Sequence, residues 1–166
     1  MVRTGWQKTW IRVTTSIITA SVIIMIFCFS AENAEESNKR SSFFANAAVK
    51  VFYPDYDRLE PIQQLKVYDE VQYTVRKCAH FTEYLLLGFT LRLCLESWIG
   101  NRILRSGIMT MTGTGSGILV ACTDEAHQLI TEGRIGSWTD VLLDGSGVIT
   151  GLILGIQAVR FLSMKR

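Results

Sequence analysis

Charge is scarce in this chain. Only 19% of its residues are Asp, Glu, Lys or Arg, against about 25% in a soluble domain. Hydrophobic residues make up 48% and the mean hydropathy is positive, at +0.23. The shortfall argues against a fully solvated surface and for a membrane protein. A net charge of +2 leaves no basic excess, so nucleic acid is not an expected partner. Cysteine pairs are missing as well. Cys28, Cys78, Cys94 and Cys122 form no CxxC pair and no finger spacing, which excludes a finger-type zinc site. Most of them fall in apolar stretches, where a free thiol packs as a small hydrophobe. A Cys78–Cys122 bridge is the one pairing considered, and free thiols are the preferred reading. Proline is confined to Pro54 and Pro61, both in one polar stretch. HExxH and GxSxG are both absent, so neither a zincin helix nor a nucleophile elbow is expected.

What is present is four apolar segments. The first, 10–30, carries no charge from 13 to 30, about the length a helix needs to cross a bilayer. Arg3, Lys8 and Arg12 before it and Ala31 and Ala34 after it also suit a cleaved signal. The run is longer than a usual signal core of about 7–15 residues, so a membrane anchor is expected. Residues 31–75 are polar and form a long extracytoplasmic loop. Within it, 41–51 and 63–75 suit short surface helices, and Phe43, Phe44, Phe52, Tyr53 and Tyr56 suit the membrane interface. The other apolar segments are 77–98, 106–123 and 141–162. The expected fold is all-α: a polytopic bundle of four transmembrane helices, divided into an anchor (1–30), the loop (31–75) and a three-helix core (76–166). Arg3, Lys8, Arg12, Arg102, Arg105, Arg160, Lys165 and Arg166 all fall on one side of such a bundle. The excess of basic residues marks that side as cytoplasmic, with both termini inside and the chain in the cell membrane as a multi-pass protein.

Ionisable groups in or beside membrane helices are costly and usually functional. Here they gather at the outer level. His80 and Glu83 share one helix face, with Arg76 a turn before His80. Asp124, Glu125, His127 and Gln128 end the third apolar segment, Arg134 lies in the next loop, and Asp140 and Asp144 open the fourth. Small residues run towards the same level: Gly113, Gly117 and Ala121 on one helix, Gly147, Gly151 and Gly155 on another. Such stripes let membrane helices approach closely, so the packed faces are expected to be those that carry the acids. Arg92 and Glu96, four apart, read as a structural ion pair with a snorkelling arginine. Tyr84, Trp98 and Trp138 read as interface residues. Ser137 reads as the cap of the fourth helix, with Asp140 as its capping partner.

Two stretches carry a resemblance. RKCAHFTEYLLLG at 76–88 and TDEAHQLITEGRIGSWTDVLLDGSG at 123–147 closely resemble the signature stretches of the VanZ-like family. The matching positions are Lys77, His80, Phe81, Glu83 and Tyr84; then Asp124, Glu125, His127 and Gln128; then Gly133, Arg134, Gly136, Ser137 and Asp140. The resemblance covers about the last 90 residues, and 1–75 show no matching motif. Asp144 stands where the family pattern suggests Asn. The founding member of that family is associated with teicoplanin resistance in Gram-positive bacteria, so the resemblance implies a process more firmly than a reaction.

Three readings follow for the outer cluster. The first is binding of a membrane lipid or lipid-linked cell-wall precursor, with Lys77 and Arg134 suited to phosphate and Gln128, Ser137 and Asp144 as further ligand contacts. The second is a hydrolase or transferase, with His80, Glu83, Asp124, Glu125, His127 and Asp140 as acid and base candidates. No cofactor is required by either reading, although His80, Glu83, Asp124 and His127 are of types that hold a divalent metal. The third is a charge network that only fixes the packing of the bundle.

Overall fold

The computed structural model describes residues 8–99, 103–131 and 137–164. They form five α-helices: α1 (Thr9–Ser30), α2 (Ala34–Phe52), α3 (Pro61–Ile99), α4 (Ile103–Gln128) and α5 (Trp138–Met164), with a short 3-10 turn at Tyr56–Arg58 between α2 and α3. There is no strand among the described residues, so the all-α expectation holds. Two helices, α1 and α5, are long and apolar enough to cross a membrane.

The polar stretch 31–75 is mostly helical, and each part has a local cause. Asn33 and Glu36 form a capping box at the start of α2, each side chain bonded to the other's backbone N–H. Ser37, Ser41, Ala45 and Val49 recur every four residues and are the buried face of α2. That face lies on the first half of α3, where Gln72 bonds Asn38 and Ser41 and Arg76 bonds Asn38. Phe43, Phe44, Val51 and Phe52 stay exposed. Pro61 opens α3 at a position where its missing N–H costs nothing. The helix then runs 39 residues without a break. At 1.5 Å per residue that is about 58 Å, close to twice a bilayer's hydrocarbon core.

Contacts fix the direction of each helix. Arg12 of α1 donates to the Ser97 carbonyl near the end of α3, and Phe27 meets His127 near the end of α4. Helix α1 is therefore antiparallel to α3 and parallel to α4. Gly113 and Gly117 of α4 face Leu152 and Val148 of α5, so these two helices are antiparallel. Gly147, Gly151 and Gly155 of α5 lie on Phe81, Leu85 and Arg92 of α3 in the same order, so these two are parallel.

The α3–α5 contact is the closest in the molecule's core. A β-carbon at Gly151 would collide with the Leu85 carbonyl, and one at Gly88 with the Val148 carbonyl. Only glycine lets the two backbones approach this far. Around this seam Ile26, Tyr84, Leu87, Ala121, Val148 and Leu152 form one buried cluster drawn from four helices. Ala121 continues the small-residue stripe of α4 and is fully buried. The packed faces are those that lead to the acids.

The pair Arg92–Glu96 is present at 3.0 Å, with both side chains buried. Arg92 does not snorkel. Its aliphatic stem lies beside Gly155 and its guanidinium is enclosed near Ser106, because the glycine leaves room for it between α3 and α5. All four cysteines are free thiols, which excludes the Cys78–Cys122 bridge.

Candidate functional site

One end of the bundle collects the chemistry. His80 and Tyr84 lie one turn apart on α3, Asp124 and Gln128 one turn apart at the end of α4, and Asp140 and Asp144 one turn apart at the start of α5. A shared face every four residues points these pairs inward from three helices.

Asp124 and Asp144 are fully buried. A ligating nitrogen of half-buried His80 and one oxygen from each of these two carboxylates lie within 4.8 Å of one another. Gln128 donates from Nε2 to Asp124 Oδ2 at 3.2 Å. Among the described residues, neither Asp144 oxygen accepts a hydrogen bond, whereas the Tyr84 hydroxyl lies within reach of Asp124. Tyr84 is fully buried too, with Asp124 and Asp144 as its nearest acids. It is thus no interface residue. The wall of α5, made close by glycine, leaves its ring facing the cluster rather than the lipid boundary.

A second layer surrounds this centre. Lys77 of α3 and Asp140 of α5 form an ion pair with a short hydrogen bond, about one quarter exposed. Glu125 is nearly buried, and its Oε2 accepts from the Ser137 backbone N–H at 2.8 Å. Ser137 does cap α5, its Oγ accepting from the Thr139 N–H. The acid that reaches back to the Ser137 backbone is Glu125, however, since Asp140 is held by Lys77.

Two expected members stand apart from the centre. The His127 ring meets Phe27 of α1 edge to face, 6.4 Å between centroids. Glu83 is half-buried and lines the groove between α2 and α3. Of the four residues first considered as metal ligands, only His80 and Asp124 meet. Asp144 is the third member of their group. Its signal in the sequence was the four-residue spacing from Asp140. Arg134, with Gly133 and Gly136, lies outside the described residues.

The cluster has an opening. A cavity of about 310 Å³ is lined by Ser37 of α2, Tyr73, Arg76, Lys77 and His80 of α3, Gln128 of α4, and Ser137 and Asp140 near the start of α5. Its walls mix cationic, acidic and amide groups. A smaller space of about 260 Å³ shares Arg76 and His80 with this cavity and shares Phe44, Val75 and Glu83 with a groove of about 990 Å³ between α2 and α3, whose walls, with Phe52 and Val71, are mostly apolar.

An all-helical chain with two membrane-length apolar helices and a buried histidine–carboxylate centre at one end of a glycine-packed seam defines a class: a helical membrane-associated protein with a polar site built between helices. The chain belongs to the VanZ/LLP1 family, whose model matches residues 15–160. The match takes in α1 and α2 as well as the last 90 residues, so the first helices are part of the family's pattern. No curated protein and no solved structure shows significant similarity to the chain.

Proposed function

We propose that this protein is a multi-pass membrane protein whose His80–Asp124–Asp144 centre and adjoining cavity engage a membrane lipid or a lipid-linked cell-wall precursor at the outer face. Four helices, α1, α3, α4 and α5, cross the bilayer in alternating directions, with both termini in the cytoplasm. The alternation agrees with the helix contacts and with the basic residues gathered at the opposite end of the bundle from the cavity. Family membership supports a link to glycopeptide resistance, and teicoplanin is the antibiotic to test.

The observation that carries this reading is the pairing of two neighbouring spaces. The polar cavity offers Arg76, Lys77 and His80 for a phosphate or phosphate-linked headgroup. The apolar groove beside it suits an acyl or polyprenyl chain. A ligand with one charged end and one long apolar end fits both at once.

The test is expression of the wild type and of Lys77→Ala, Glu83→Gln, Arg134→Ala and Asp140→Asn in a teicoplanin-susceptible Gram-positive host. Inhibitory concentration and membrane abundance are read together. The expected result is normal abundance with lost protection for Lys77→Ala, Arg134→Ala and Asp140→Asn. A wild type that gives no protection removes the resistance link. Protection that survives all the substitutions removes the site.

A second reading is supported by a separate observation. A histidine beside two buried carboxylates also suits acid–base chemistry on a lipid-linked phosphate or glycan. His80 is then the proton-transfer group, with Asp124 as the acid that orients it. Release of headgroup from a radiolabelled lipid precursor by the purified protein would favour this reading over binding alone.

A further inference from the structure

We propose that His80, Asp124 and Asp144 bind one divalent transition-metal ion, zinc or manganese. The three side chains come from three different helices, α3, α4 and α5. One nitrogen and two carboxylate oxygens converge to within 4.8 Å of one another. Ligand atoms bonded to a metal at about 2.0–2.2 Å stand about 3–4 Å apart, so side-chain shifts on the order of an ångström complete the set. The helices cannot drift apart, because Gly88 and Gly151 lock α3 against α5 and Gly117 seats Val148 against α4.

Electrostatics asks for a cation here. Asp124 and Asp144 are fully buried, and a buried carboxylate needs a positive partner, a hydrogen-bond donor or a proton. Both Asp144 oxygens receive no hydrogen bond among the described residues. Of the nearby basic side chains, Lys77 holds Asp140 and Arg92 holds Glu96. Gln128 fixes Asp124 through Oδ2. This is the arrangement by which an outer partner orients a metal-bound carboxylate.

The donor set narrows the ion. One imidazole with two carboxylates is too rich in nitrogen for magnesium or calcium and lacks the sulfur of structural zinc. Three protein ligands leave at least one coordination position for water or ligand. His80 also borders the polar cavity, so that position faces the space where the proposed headgroup would sit. The ion would hold a phosphate oxygen there. The metal site concerns the same cluster as the proposed function but does not depend on any role in resistance.

The test uses untagged full-length protein in detergent, stripped with chelator and titrated separately with Zn²⁺ and Mn²⁺. Metal content is read by mass spectrometry, and unfolding temperature with and without each ion. The expected result is about one ion per chain and a higher unfolding temperature with the ion, since binding to the folded state alone stabilises it. His80→Gln and Asp144→Asn should each weaken binding at least about tenfold, while Glu83→Gln and His127→Ala bind as the wild type does. Should the two ligand variants fail to accumulate, electron spin-echo spectroscopy of the Mn²⁺-loaded wild type decides alone: coupling to one imidazole nitrogen supports the site. A wild type that binds neither ion stoichiometrically, a spectrum without nitrogen coupling, or ligand variants that bind as tightly as the wild type would overturn it. Because these readouts need no antibiotic, a failed susceptibility assay leaves the metal site standing, and the converse is equally true.

Discussion

Asp144 and Asp140 sit one turn apart on α5 and meet opposite fates. Asp140 is held by Lys77 near the surface, whereas Asp144 is sealed inside without a hydrogen bond from any described residue. The Lys77–Asp140 pair is partly solvated, so its net value is modest, but each charge compensates the other. We expect Lys77→Met and Asp140→Asn together to destabilise less than the sum of the singles, with a coupling of about 0.5–1 kcal/mol in detergent unfolding.

At the scale of the helix, the seam between α3 and α5 decides where the site forms. Gly151→Ala adds a methyl group against a backbone carbonyl that cannot move without bending α3. Overpacking of this kind costs about 1–3 kcal/mol, and it should also spread His80 from Asp144. Gly115→Ala meets open space on α4 and should be neutral or slightly stabilising. Unfolding temperatures of the two variants test the contrast; equal losses would mean that the seam is not tightly packed. The N-terminus of α2 offers a second check. Asn33→Ala removes the side-chain acceptor for the Glu36 N–H and should cost about 1 kcal/mol, which frays α2 and loosens the groove it forms with α3.

For the molecule as a whole, the proposed four-span topology dictates which groups would face which compartment. In intact cells, a membrane-impermeant maleimide should label Lys39→Cys in a cysteine-free background. A cysteine added after the C-terminus should be labelled only once the membrane is opened. Labelling of both from outside would refute the four-span topology. The length of α3 carries the same logic. A helix of 39 residues is longer than one span needs, so the proposed topology would put its first half, covered by α2, above the bilayer.

Much of this was legible in residue order alone. Apolar length announced the helices, and small residues every four positions announced which faces pack. The spacing His80–Tyr84, Asp124–Gln128 and Asp140–Asp144 put each pair on one face, because the helical period is a local property. The helical nature of 34–52 and the unbroken run of α3 were less clear. Polar surface helices carry no strong apolar stripe, and α2 declares itself only through its capping box and the modest residues Ser37, Ser41, Ala45 and Val49. The membership of the site was decided by tertiary structure. Nothing in the order of residues says that His127 turns to Phe27 while His80 turns to Asp144, or that Tyr84 is enclosed rather than at an interface. Those outcomes depend on how each helix is rotated about its axis, and that rotation is set by the glycine seam between two helices more than sixty residues apart in the chain.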